Sequence, residues 1–391
     1  MSDSTLTKSC IACYESIHGK AVKCRYCGAE QNPKPWNAVA RVLKWMGGIT
    51  AVISLVLGTV QINGLFSDWQ ERKAAVSQLI EAAALQTDSS DYKGAWKLID
   101  EALSLNPSSL SARQQQMAIA MMWLRNVQVQ RSETFGDVTE KLLPTLYLGA
   151  VNESAKMSAN ALTHIGWANY LRISEGAGGL EVEEYYRHAL SIDPDNVYAH
   201  VMWGYWILSQ ANRDSNTDAD LEMAKLHFSA ALDTNQDREF VRKLQLSALR
   251  QAHHGSIVQI ELIKVAQEIM QQDGTLNQYN RADVFRAMQD IIAPTGSMDK
   301  SARTTNQLTL VLPPVAILTL FEWLDYNKQT PSGMLIKARL EELAGNLEHA
   351  LPYYQTLLNT PGVSSSNKAF AQQAVSRLSA LPSADTIEGG N

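Results

Sequence analysis

Between Trp45 and Ser67 the chain runs for 23 residues without a charged side chain, WMGGITAVISLVLGTVQINGLFS. As a helix this stretch measures about 34 Å, against a hydrocarbon core of about 30 Å. Lys44 and Asp68 close it at its two ends, and Trp36, Trp45, Phe66 and Trp69 lie where amphipathic rings prefer the membrane interface. The expectation is a single transmembrane helix over 45–67 that contacts the lipid bilayer and divides the chain into a short N-terminal part and a large C-terminal one. A buried core helix is the rival reading, and Gln61 and Asn63 weaken the second half of the span. Gly47, Ala51, Ser54 and Gly58 fall on one face of that helix, a small-residue stripe that would let two copies pack as a homo-oligomer.

The charges on either side of the span give it a direction. Up to Lys44 there are seven Lys/Arg against Asp3, Glu15 and Glu30, whereas the remainder carries 27 basic and 37 acidic residues. Counting Lys/Arg near the ends, Lys34, Arg41 and Lys44 precede the span and Arg72 and Lys73 follow it, so the N-terminus is expected inside. In a bacterium this means an inner-membrane, single-pass protein with a cytoplasmic N-terminus and a periplasmic large domain. The acidic balance of that domain argues against nucleic acid as its partner, because phosphate binding needs concentrated Lys/Arg. The first thirty residues hold no apolar run of the length a cleavable signal needs.

All four cysteines fall in SCIACYESIHGKAVKCRYCGAEQ, as Cys10-x2-Cys13 and Cys24-x2-Cys27, and the next 364 residues contain none. Two such pairs, ten residues apart, can offer four thiolates to one tetrahedral ion, and thiolate donors suit structural Zn²⁺. Two disulfides or a redox pair are the alternatives. Four thiolates on Zn²⁺ leave a net charge of −2, which Lys23 and Arg25 are placed to offset. Residues 1–35 resemble the short zinc ribbons at the N-termini of bacterial membrane proteins, and CRYCGAEQ resembles their second knuckle. The stretch 36–44 reads as a basic juxtamembrane linker.

Beyond the span the sequence is helical in pattern, and one template recurs. Tyr92, Ala95, Ile99, Ala102 and Pro107 stand at relative positions 0, 3, 7, 10 and 15. Gly179, Val182, Tyr186, Ala189 and Pro194 repeat those spacings, and Leu347, Ala350, Tyr354 and Leu357 do so with Pro361 one residue early. A small, a large and another small residue along one helical stripe let a neighbouring helix approach closely, and proline then stops the helix. This resembles the second helix of the tetratricopeptide repeat (TPR). Leu79, Ala82 and Ala83 fit its first helix, as do Trp203 with Gly204; Ala224, Phe228 and Ala231 complete the latter repeat, and Ala338 and Gly345 fit the last repeat.

The fold class expected is therefore all-α: a TPR-like helical-hairpin solenoid over 68–381, preceded by the ribbon and the span, with a disordered tail at 382–391. Stretches 110–159 and 237–330 are helical but off-pattern, and Asn212–Asp220 and Pro294–Thr304 read as breaks. The resemblance implies a concave surface that binds partner proteins, without chemistry of its own. No nucleophile elbow, glycine-rich phosphate loop or paired-histidine metal motif is present, and His253-His254 lack a ligand four residues on. Trp123, Trp167, Trp203 and Trp206 read as core. The chain is expected to be a membrane-anchored scaffold or adaptor rather than an enzyme. A signalling or defence component that senses a ligand through its repeats is the alternative.

Overall fold

The structure, a computed structural model, describes residues 7–29, 31, 68–127, 133–211, 217–252, 255–274, 276–293 and 298–380. The expected span 45–67 with its small-residue stripe, the linker, the tail and His253-His254 lie outside these residues. Among the described residues the chain is all-α apart from one antiparallel ribbon, β1 (Thr7–Ser9) paired with β2 (Ser16–His18). Two compact units emerge, Met1–Met202 with Asp233–Asp237, and Trp203–Leu232 with Arg238–Asn391.

The first unit holds the ribbon and helices α1 (Asp68–Asp88), α2 (Tyr92–Leu105), α3 (Leu110–Arg125), α4 (Phe135–Asn152), α5 (Ala155–Ser174) and α6 (Glu183–Ile192). Helix α7 (Val197–Ala211) carries the boundary within it. Polar residues set the helix starts. Asp91 accepts from the Gly94 amide at α2, Ser109 from Ala112 at α3, and Thr134 and Asp137 form a reciprocal capping box at α4. The Glu175 carboxylate also accepts from the Phe135 and Gly136 amides, so a negative group sits at the positive end of the α4 dipole. At the far end of α5, Gly176 takes a positive φ and closes a Schellman turn, with Gly176 N donating to Ile173 O and Ala177 N to Arg172 O.

Consecutive helices pack together in this unit, α1 on α2 and α4 on α5 most extensively, and α1, α3 and α5 touch in turn. The template residues form the contact. Ala95, Ile99, Ala102, Tyr186 and Ala189 are fully buried, and Val182 nearly so. The reason small residues are needed is visible at Gly166 of α5. A Cβ there would lie 2.9 Å from Tyr186 Cε1 and 3.2 Å from the Val182 carbonyl. Gly149 of α4 plays the same part against Met117 of α3, where a Cβ would lie 2.1 Å from the sulfur. Neither glycine stands out in the sequence, and Gly149 lies in the stretch read as off-pattern.

The second unit contains α8 (Thr217–Asp233, through Leu232), α9 (Arg238–Gln251), α10 (Ser256–Gln272), α11 (Gln278–Ile292), α12 (Met298–Val311), α13 (Pro314–Leu324), α14 (Pro331–Leu343), α15 (Leu347–Asn359) and α16 (Ser365–Ser379). Gly204 of α7 meets α8, where a Cβ would stand 3.2 Å from the Phe228 ring and from the Ala224 carbonyl. Ala224, Ala231, Ala350, Tyr354 and Leu357 are fully buried. Gly345 ends α14 in a Schellman turn at φ +84°.

The long breaks expected at Asn212–Asp220 and Pro294–Thr304 are shorter in the structure, since α8 begins at Thr217 and α12 at Met298. Polar residues such as Asp218, Asp220, Ser301 and Thr304 sit in helices there, because a polar side chain on an amphipathic helix need not interrupt it. In the off-pattern region α10 touches α13 and α11 touches α14, so helices three apart in order meet. That departs from contact between near neighbours only. Trp123 and Trp167 are buried as expected, while Trp203 and Trp206 are only half-buried.

Among the described residues no single helix is long and apolar enough to cross a membrane. One pair, Arg303–Val311 and Pro314–Leu324, passes that test together but bends by 92° at Leu312-Pro313, and Leu308, Ile317, Leu320 and Phe321 are buried inside the unit.

Gly166→Val is expected to destabilise the first unit by about 1–3 kcal/mol through overpacking against Tyr186. Gly178→Ala, where a Cβ meets nothing within 4 Å, should leave stability unchanged. Urea unfolding of the two variants beside the parent chain checks this. Equal midpoints would refute the close-packing account.

Candidate metal centre

The four cysteine sulfurs lie within 4.8 Å of one another, with Cys10, Cys13 and Cys24 buried and Cys27 half-buried. Cys10 Sγ is 3.6 Å from Cys27 Sγ, and Cys13 Sγ is 3.6 Å from Cys24 Sγ. A disulfide needs about 2.05 Å, so these are free thiols. A tetrahedron of metal–sulfur bonds of about 2.3 Å has edges of about 3.8 Å, close to both separations. Each short pair joins one cysteine from each knuckle, so an ion held here would tie both knuckles to one point.

The two knuckles repeat one backbone pattern. In the first, Tyr14 N donates to Cys10 O at 3.0 Å and Cys10 N to Glu15 O at 2.9 Å. In the second, Gly28 N donates to Cys24 O at 2.9 Å and Cys24 N to Ala29 O at 2.7 Å. In each, an amide two residues on points at the first sulfur, Ala12 N to Cys10 Sγ and Tyr26 N to Cys24 Sγ, both at 3.4 Å. Such donors favour thiolate over thiol. Gln31 adds a further one: its Nε2 reaches Cys10 Sγ at 3.1 Å and Ala29 O at 2.7 Å, while its Oε1 accepts from Ile11 N. Gln31 is 4% exposed and fastens one knuckle to the other. The sequence reading missed its role, although it closes the CRYCGAEQ motif.

Crowding displaces the proton affinities of Cys10, Cys13 and Cys27. Hydrogen bonds from Cys13 and then Cys27 hold Cys10 far below the usual thiol range. The bond to Cys10, joined by burial, pushes Cys13 far above it and Cys27 up to about 12, against a downward pull on Cys27 from Cys13. Converging sulfur donors with amides aimed at them fit a cation that accepts four soft ligands. Four protein ligands would close the coordination sphere, which suits a structural ion.

Around the knuckles lies a set of polar and aromatic groups from the first helical unit. Lys156 Nζ stands 3.0 Å from Glu15 Oε2 and 4.4 Å from the centre of the Tyr26 ring. Glu15 is 4% exposed, and burial raises its proton affinity against the opposing pull of Lys156. Arg125 lies over the Tyr198 ring at 4.4 Å, with the Tyr14 ring at 5.9 Å and Asp237 Oδ2 at 3.3 Å. Burial raises the Tyr14 hydroxyl to about 12. Beneath them Asn160, His164 and Asn196 are fully or nearly fully buried. Asn196 Nδ2 donates to Asn160 Oδ1 at 2.7 Å, and His164 Nδ1 lies 2.7 Å from Asn160 O.

No protein-family model matches this chain, and no curated protein matches it.

Burial, then the positive charge of Arg125, holds His164 down at about 3. An unfolded histidine titrates near 6.5, so the unfolded chain binds the extra proton first. The stabilisation due to neutral His164 is complete above about pH 6.5 and is lost as pH falls toward 3. His164→Gln should flatten the stability–pH curve in that window, as followed by urea unfolding at successive pH values; an unchanged slope would refute it. At the thiols, Cys13→Ala should abolish metal retention. Cobalt-loaded protein should show the thiolate-to-metal absorption of a four-sulfur site, and a parent chain that binds no divalent ion would overturn the assignment.

Proposed function

We propose that the protein is a membrane-anchored scaffold that holds a partner protein on TPR-like helical repeats, with Zn²⁺ bound by Cys10, Cys13, Cys24 and Cys27 as a structural ion. The observation that carries the repeat reading is burial. The small–large–small positions of three separate helices are at or near zero exposure, and Gly166 and Gly204 face the large residues Tyr186 and Phe228. That is the pattern expected of stacked helix pairs, whose exposed faces then serve partners. We read 237–330 as distorted repeats, a reading supported by the contacts of α10 with α13 and of α11 with α14.

The anchor reading rests on the uncharged run 45–67 and its aromatic and basic flanks. Helix α1 covers Asp68–Asp88, so helical chain already follows that run closely. A partner held on them would stay close to the membrane surface. The basic N-terminal flank supports a bacterial inner-membrane location, and the same flank with the four-thiolate site supports zinc as the metal. Zinc is favoured because it accepts four thiolates in a tetrahedron and needs no redox chemistry.

Affinity purification of the full chain from detergent-solubilised native membranes should yield about one zinc per chain and a reproducible set of co-purifying proteins. Recovery from the soluble fraction, metal-free and alone, would sink the anchor, the zinc site and the scaffold together.

A further inference from the structure

Glu15, Tyr14 and Tyr26 of the knuckles turn toward the protein's own helices. Glu15 and Tyr26, one from each knuckle, meet at Lys156 of α5. Tyr14 lies against Arg125 at the end of α3. His18 and Tyr26 line one cleft with Thr234, Asn235 and Gln236. All these residues belong to the first unit.

Tyr14 gives the contact its significance. The matched hydrogen bonds of the two knuckles make Tyr14 the counterpart of Gly28, and both residues have positive φ, 59° and 77°. Glycine takes that conformation without cost. For an aromatic residue it is a genuine outlier. Strain of this kind persists where the surroundings repay it, and the half-buried Tyr14 ring, 5.9 Å from the Arg125 guanidinium, is the repayment on view.

We propose that the metal knuckle is the resident ligand of the first helical unit, clamped there by Tyr14 on Arg125 and by Glu15 and Tyr26 on Lys156. A consequence follows for membrane topology, which rests on the anchor reading above. A single crossing between Gln31 and Asp68 would put a hydrocarbon layer of about 30 Å between groups that meet at 3.0 Å. The docked state therefore needs the knuckle and the helices on the same side of the bilayer, which a single crossing at 45–67 does not allow. This differs from the arrangement the flanking charges favour, and the cross-linking experiment decides between the two.

The test uses the full chain in living cells, with a benzophenone amino acid in place of Gln236, which lines the cleft beside Tyr26 and His18. After irradiation, membrane and soluble fractions are separated and the cross-linked peptides are sequenced. The expected result is cross-linking of position 236 to residues 7–31 in the membrane-bound chain. It should fall about tenfold in Tyr14→Gly, which keeps its metal because glycine already serves at position 28. Lys156→Glu should fall similarly, and adding Glu15→Lys to it should restore cross-linking. Membrane-bound chain without any such cross-link overturns the docking and leaves the anchor standing. Cross-linked chain found only in the soluble fraction supports the docking and removes the anchor. Undiminished cross-linking in both Tyr14→Gly and Lys156→Glu overturns the clamp.

Discussion

Two helices can lie close together only where one gives up side-chain volume to the other, and this exchange governs the helical part of the protein. Gly166 makes room for Tyr186, and Gly204 for Phe228. Ala95, Ala102, Ala189, Ala224, Ala231 and Ala350 flank large residues that are themselves fully or almost fully buried. Interiors are packed to crystal-like density, so each such position tolerates little change in volume. The chain has no disulfide among its described residues and needs none, because each helix finds its apolar cover on a neighbour.

The metal centre solves a different problem. A segment of about 25 residues cannot bury enough apolar surface to fold alone. Here Ile17 and the cysteines are almost its whole interior. Converging thiols, amides aimed at sulfur and the double attachment of Gln31 provide cross-links where a core is lacking. The helical unit adds a second support through Lys156 and Arg125, whose charges meet the knuckle at Glu15 and at two tyrosine rings. Buried charge is tolerable there because it is paired; Arg125 also meets Asp237 and Tyr198.

Much of the helical arrangement was legible in the residues. The spacing of Ala95, Ile99 and Ala102, and its recurrence at Val182, Tyr186 and Ala189, marks the buried stripe because a helix returns to the same face every three or four residues. Less legible were the partners of that stripe. Gly149 and Gly166 read as ordinary helix-weakening glycines until Met117 and Tyr186 stand opposite them. Polar clusters such as Asp218 and Asp220 read as breaks, although they begin α8 with acidic residues at its positive end.

What the sequence by itself determined is local: all-helical character, the four-thiol set Cys10, Cys13, Cys24 and Cys27, and the faces that helices bury. These follow from periodicity and ligand spacing, which are properties of short segments. Only the tertiary structure decided that Gln31 fastens the knuckles, that Tyr14 occupies a glycine-like position, and that Glu15 meets Lys156 across 141 positions of chain. Such contacts leave no trace in spacing. Their partners are distant along the chain, and an isolated glutamate or tyrosine looks the same whether it faces water or a lysine on a distant helix.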